Sequence, residues 1–235
     1  MYKILIACLM AACLQAAAPL IVGTNAEFPP FSYIENKKIV GFDIEVAQEV
    51  GKRLDREVQF KDMPFDALIP DVVLGHVDFV AAGMSYTEER AKRVFFTKSY
   101  LSEDPLVIFS KGQKMEMEDL LGKTVVVIEG FTADLLMSSK EGVHLIRLPT
   151  QADGFMAIKS GRADAFVTAK STINSFVEKQ DASAFYIQEI ENTGETCALV
   201  VPKNKPQMLA DVQKALDEME KDGTMQQLKT KWKLQ

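Results

Sequence analysis

Arg90 lies five residues after Ser85 and three after Thr87. Its guanidinium stays charged at every physiological pH, and its planar fork can hold both oxygens of one carboxylate, which a lysine ammonium cannot do. Thr87 is also a good helix N-cap, so Arg90 reads equally as a surface residue on a short helix. Ser85 follows the apolar stretch at 79–81 and Ala82-Gly83. Ligands collect at the carboxyl ends of strands in open α/β sheets, although a plain turn serine has the same surroundings. A second strand end is Gly130-Phe131-Thr132, which leaves the run 125–128 and opens a helical period. Backbone N–H groups at such a start favour an anion, and Thr132 is placed to close over the same negative group.

Phe28 and Phe65 offer two flat faces that could sandwich a guanidinium, each contact worth about 0.5–2 kcal/mol. Core packing is the commoner fate of a phenylalanine. Asn25 and Glu27 flank Phe28 within reach of a cationic tip, while Phe31, after Pro29-Pro30, reads as structural. Asp43 reads most simply as the N-cap of the helix that follows it.

Other patterns fail on inspection. Gly122-Lys123-Thr124 resembles the end of a phosphate loop, but Met117 stands where the first glycine belongs, and a strand follows it. His76 and His144 are single histidines without metal-ligand spacing, so no metal or cofactor is expected. No Gly-x-Ser-x-Gly nucleophile elbow occurs. Cys197, on the apolar run 197–201, reads as a packed core residue.

The elements that must position these groups alternate along the chain. Short apolar runs at 20–22, 58–60, 79–81, 125–128, 145–146, 165–167 and 199–201 read as buried strands. Helical spacing occupies 44–54, 65–74, 132–138, 152–159, 172–178 and 207–221, with a last helix from Gly223 to Trp232. Strand–helix alternation predicts an α/β fold with largely parallel sheets. One unit repeats: a helix, Gly75-His-Val-Asp78 and a strand, then a helix, Gly161-Arg-Ala-Asp164 and a strand. Glycine suits a helix C-cap and Asp the turn beyond it. Two units built alike suggest two lobes. The extended stretches 105–109 and 197–202 are expected to join them, giving lobe 1 as 19–106 plus 199–235 and lobe 2 as 107–198.

The start of the chain has its own signature. Lys3, an apolar run of eleven residues from Ile4 to Leu14 and the small residues Ala16-Ala17-Ala18 form a secretory signal, expected to cover 1–18. The run is shorter than the roughly twenty residues of a membrane-spanning helix. Leu9-Met10-Ala11-Ala12-Cys13 resembles a lipobox, in which Cys13 would be acylated; cleavage near Ala16 or Ala18 is the rival. Of three cysteines, the mature chain keeps only Cys197, so stability must come from a packed core. The formal charge of -6, with no basic stripe, argues against nucleic-acid binding.

Five motifs in order then resemble one family. Val22-Gly-Thr-Asn-Ala-Glu-Phe-Pro-Pro-Phe31, Val40-Gly-Phe-Asp-Ile-Glu-Val-Ala47, Phe65-Asp-Ala-Leu-Ile-Pro70, Gly83-Met-Ser-Tyr-Thr-Glu-Glu-Arg90 and Asp222-Gly-Thr224 are similar to the polar amino-acid-binding proteins of ABC importers. The resemblance implies the two-lobe periplasmic-binding-protein clamp (type II), with two crossover strands and a ligand cleft between the lobes. It implies Asn25, Glu27, Phe28, Phe65, Gly83, Met84, Ser85, Arg90, Ile128 and Thr132 as ligand-binding residues, with Arg90 on the carboxylate. A free amino acid, arginine first and lysine, histidine or glutamine next, is the implied ligand; a membrane permease is the partner and monomer the expected state. The chain departs from the family at Ala169, where an Asp usually holds the ligand ammonium. Glu129 or Glu27 could take over, or the ligand lacks an ammonium. Two other readings stay open: an enzyme on the same fold, similar to cyclohexadienyl dehydratases, and a sensor feeding a separate receptor.

Overall fold

Parallel strands covered on both faces read as unbroken apolar runs, because neither side meets water. Val125, Val126, Val127 and Ile128 are all buried, odd and even members facing different core clusters. The structure, a computed structural model, describes residues 17–177 and 183–234. Cys8, Cys13 and nearly all of the expected signal lie outside the described residues, as does the end of the helix expected at 172–178.

Two five-stranded sheets carry the chain. The first runs Val58–Asp62, Leu20–Thr24, Phe79–Val80, Val200–Pro202, Val94–Phe96; the second runs His144–Leu148, Thr124–Ile128, Ala165–Ala169, Leu106–Lys111, Phe185–Glu189. In each, the first three strands are parallel and the fourth is antiparallel to both neighbours. The sheets are therefore two copies of one plan.

The repeated Gly-x-x-Asp unit explains part of that likeness. Gly75 adopts a left-handed conformation (φ 79°) at the end of the helix Leu68–Leu74, which a residue with a Cβ would enter only under strain. Asp78 then accepts a hydrogen bond from the Ile21 N–H at 3.0 Å, and Asp164 accepts one from the Thr124 N–H at 2.8 Å. In both lobes one carboxylate pins the start of the sheet's second strand.

The chain crosses between sheets on two short strands, Leu101–Asp104 and Glu195–Cys197, which pair antiparallel. The stretches expected to do this, 105–109 and 197–202, lie mainly inside the sheets. Leu106–Lys111 and Val200–Pro202 are the fourth strands of the second and first sheets. Each crossing thus delivers the chain directly into the antiparallel position of the sheet it enters, and an apolar run long enough to look like a connector is used to close a sheet.

The helix Pro206–Lys221 returns to the first lobe with Val212, Ala215, Leu216 and Met219 buried, a spacing of three and four that makes one stripe. It packs on the helices Phe42–Arg53 and Thr224–Lys231. Trp232 sits edge-on to Tyr33, with ring centroids 6.2 Å apart. Cys197 is buried and unpaired.

The cleft between two lobes

The carboxyl ends of both sheets face one another, and the expected residues leave from them. Thr24 ends the strand Leu20–Thr24 and leads to Asn25, Glu27 and Phe28; the strand Phe79–Val80 leads to Gly83, Met84 and Ser85. From the other lobe, Ile128 ends Thr124–Ile128 and leads to Gly130 and Phe131, and Thr132 opens the helix Thr132–Ser138.

Arg90 ties the two sides together. Thr87 caps its short helix as expected, accepting the Arg90 N–H at 3.2 Å. The side chain nevertheless points inward and is buried, so the surface reading does not hold. Nη1 donates to the Ser85 carbonyl at 2.7 Å, and Nη2 donates across the cleft to the Gly130 carbonyl at 2.9 Å. A guanidinium has five N–H donors, so part of the fork remains for an anion. Burial pulls its pKa down to about 10, against the pull of the Glu195 carboxylate, and it stays charged at neutral pH.

Phe28 and Phe65 are buried at the cleft, and Phe131 of the opposite lobe meets both. Its ring lies 5.2 Å from Phe28, edge-on, and 4.2 Å from Phe65. The Arg90 guanidinium carbon stands 5.3 Å from the Phe65 centroid, so Phe65 already carries one cation–π contact. Phe31 packs behind, 4.8 Å from Phe28, in the structural role expected of it.

Glu27 precedes Phe28 and has two further acids near it. Glu27 is exposed, yet its pKa is raised, by partial burial first and then by Asp62 of its own lobe and Asp153 of the other. Asn25 is buried and its Nδ2 donates to the Met63 carbonyl at 3.2 Å. Glu129 is exposed. Ala169 is buried, and Lys170 beside it pairs with Glu189.

Asp43 is a correction. Gly41 is the N-cap of the helix Phe42–Arg53, and Asp43 lies inside its first turn, fully buried. Its carboxylate accepts from the Gly83 N–H and from the Tyr100 hydroxyl, the latter at 2.9 Å. It therefore fixes the loop that carries Ser85. That loop has little slack: Gly83 has φ 59°, and a Cβ there would stand 2.5 Å from Cε1 of Phe28. Gly83→Ala is expected to destabilise the fold by about 1–3 kcal/mol through strain and overpacking. An unchanged urea midpoint would show that the Phe28 ring yields freely.

Of the remaining expected residues, Met84 is buried and its carbonyl accepts the Ala198 N–H at 3.1 Å, tying the loop to the second crossing. Ile128 is buried and Thr132 partly so. The Ser85 Oγ is buried without a hydrogen-bond partner. Ser85, Thr132 and Leu106 line a cavity of about 210 Å³ together with Glu195 and Thr196 of the crossing strand. Phe131 and Glu195 escaped sequence reasoning. Phe131 had a signal, since it stands between two residues that drew notice; Glu195 had none locally. Among the described residues no cluster of His, Cys, Asp and Glu could hold a metal ion.

Two α/β lobes joined by a pair of crossing strands, with polar groups from both sheet ends meeting in the cleft, define a two-lobed binding clamp. Residues 20–235 match the bacterial extracellular solute-binding proteins, family 3, and the chain belongs to that family. It is similar to the arginine-binding extracellular protein ArtP of Bacillus subtilis (strain 168), 30% identical over 217 residues that cover 91% of this chain and 85% of the relative. Among solved structures, an ancestral arginine-binding protein bound to arginine is 37% identical, covers 93% of this chain and 99% of its own, and has a TM-score of 0.86. Holo ArgBP from T. maritima is 35% identical, with coverage of 86% and 91% and a TM-score of 0.81.

Proposed function

We propose that this protein captures a free amino acid, arginine by preference, between its lobes and delivers it to the membrane permease of an ABC importer. It is exported by the signal at 1–18, works in the periplasm as a monomer, and acts by closing on its ligand without changing it. The observation that carries this reading is Arg90: a buried, charged fork held by one carbonyl from each lobe, with donors remaining for a carboxylate. Closure and carboxylate capture are then one event, because the same side chain serves both.

The side-chain preference follows from the other end of the cleft. Phe28, Phe65 and Phe131 form one aromatic group, and Glu27, next to Phe28 in the chain, has Asp62 and Asp153 near it. A guanidinium satisfies both, by cation–π contact and by charge. The names of the relatives, one an arginine-binding extracellular protein and one bound to arginine, agree with this.

A thermal-shift screen of the ligand-stripped mature chain against the twenty amino acids tests the proposal. Ligand at a thousandfold above its dissociation constant stabilises by about 4 kcal/mol, a readily seen shift. A response to arginine supports the reading, and silence from all twenty removes it. Phe65→Ala is expected to weaken arginine by about 1–2 kcal/mol more than glutamine, because only arginine loses a cation–π contact. Equal losses in calorimetry would assign Phe65 to plain apolar packing.

A further inference from the structure

A zwitterion held by its carboxylate on Arg90 brings an ammonium into the same few ångströms, and a buried ammonium needs a negative partner. The acids around the cleft are mostly committed. The Asp43 carboxylate takes the Gly83 N–H and the Tyr100 hydroxyl. Asp104 takes both the N–H and the hydroxyl of Ser171. Glu189 holds Lys170. Glu27 stands with Asp62 and Asp153 at the aromatic end. Glu195 makes no side-chain hydrogen bond or ion pair among the described residues, and neither do Glu27, Asp66 and Glu129, but of these four Glu195 is the one that lines the cavity with Ser85.

Its position is specific. Glu195 opposes Asp104 in the paired crossing strands, and two residues beyond Asp104 comes Leu106, the register partner of Ala169. Glu195 lines the interlobe cavity shared by Ser85, Thr132 and Leu106. Into that space comes an independent sign of a ligand: Ser85 is 6% exposed and its Oγ has no partner. Ser85, whose carbonyl accepts from Arg90 and whose hydroxyl shares a cavity with Glu195, is placed to meet the headgroup of an amino acid.

We infer that Glu195, on the second crossing strand, receives the α-ammonium of the bound amino acid while Arg90 receives its carboxylate. The inference rests on the amino-acid reading above and adds the residue that recognises the ligand's positive end. It also places recognition on the crossing itself, so the strand that must bend on closure is the one that touches the ligand. Burial, reinforced by Asp104 on the facing strand and opposed by Arg90, pushes the Glu195 carboxyl up to about 8. At neutral pH the unliganded group therefore carries a proton, and an arriving ammonium displaces it.

The test is calorimetric titration of the full mature protein and its Glu195→Gln variant. The probes are L-arginine and 5-guanidinopentanoate, the same molecule without its α-ammonium. Arginine is expected to bind at least about thirtyfold more weakly to the variant, because an ammonium loses its charged partner. The deamino analogue is expected to bind both proteins alike. Arginine binding at pH 7 should release a proton, read from heats in buffers of different ionisation enthalpy, and E195Q should release none. Glu195→Asp should recover part of the arginine affinity. If wild type binds arginine and E195Q binds it equally well, the assignment of Glu195 fails alone. If both probes weaken equally, Glu195 shapes the crossing without meeting the ammonium, and the assignment fails again. If wild type binds no amino acid, the functional reading fails and this inference with it.

Discussion

Arg90→Ala is expected to weaken arginine binding by about 3 kcal/mol, roughly a hundredfold, in calorimetric titration of the mature chain. Two losses combine. The ligand carboxylate, enclosed between the lobes, loses its charged partner, and truncating one partner of a buried charge pair typically costs about 2–5 kcal/mol. The closed arrangement also loses the link from the Ser85 carbonyl to the Gly130 carbonyl, which lie on opposite lobes. The unliganded fold should be nearly indifferent. A guanidinium whose pKa burial has pulled down to about 10 is already in an unfavourable place, and its removal relieves that. Arg90→Lys should recover little, since one ammonium cannot bridge two carbonyls and also grip two oxygens. A variant that binds arginine as wild type does would take Arg90 out of the site. One that loses melting temperature as heavily as affinity would make it a structural link instead.

How much of this could be read without coordinates depends on how local each cause is. The alternation of strands and helices was legible because burial on both faces writes continuous apolar runs, as at 125–128 and 165–167. The twin Gly-x-x-Asp units were legible for the same reason: a left-handed cap and a turn aspartate are decided by neighbours in sequence. Arg90 and Ser85 were legible as types at a strand end. Glu195 was not, because nothing in Asn192-Thr-Gly-Glu-Thr196 shows periodicity or charge pattern. Its surroundings come from Asp104 on the facing strand and from Ser85, both distant in the chain. Phe131 was hidden differently, as the helix start around it gave sufficient local reason for every residue there. Its meeting with Phe28 and Phe65 depends on the approach of the other lobe. The crossing strands were displaced by several residues because a sheet's fourth strand is more apolar than the short segment that leads into it.

Asp43 gives the largest expected effect on stability. Asp43→Ala leaves two buried donors, the Gly83 N–H and the Tyr100 hydroxyl, without an acceptor, and opens a space beneath both. Each unsatisfied buried group costs about 1–3 kcal/mol, so a loss of about 3 kcal/mol overall is expected, read as a lower urea midpoint. Asp43→Asn separates hydrogen bonding from charge, since its carbonyl can still accept. Burial raises the Asp43 carboxyl to about 6, more than the bonds from Gly83 and Tyr100 lower it. The folded pKa thus exceeds the ordinary value of 3.8, and the folded state holds the proton more tightly than the unfolded chain. The resulting stability is complete below about pH 4 and drains away as pH rises to about 6. Glu195, raised to about 8, adds a loss of the same sign between the ordinary carboxylate range and about 8, so wild type and variant must be compared at each pH. D43N loses the fall between about pH 4 and 6 and keeps the upper one, so the upper one cancels in the difference and the lower one remains. A difference that stays flat across pH 4–6 would mean that Asp43 is ionised throughout and that the two donors outweigh burial. Because Gly83 leads directly to Ser85, D43A should also weaken arginine binding, whereas D43N, which keeps an acceptor for the Gly83 N–H, should largely preserve it.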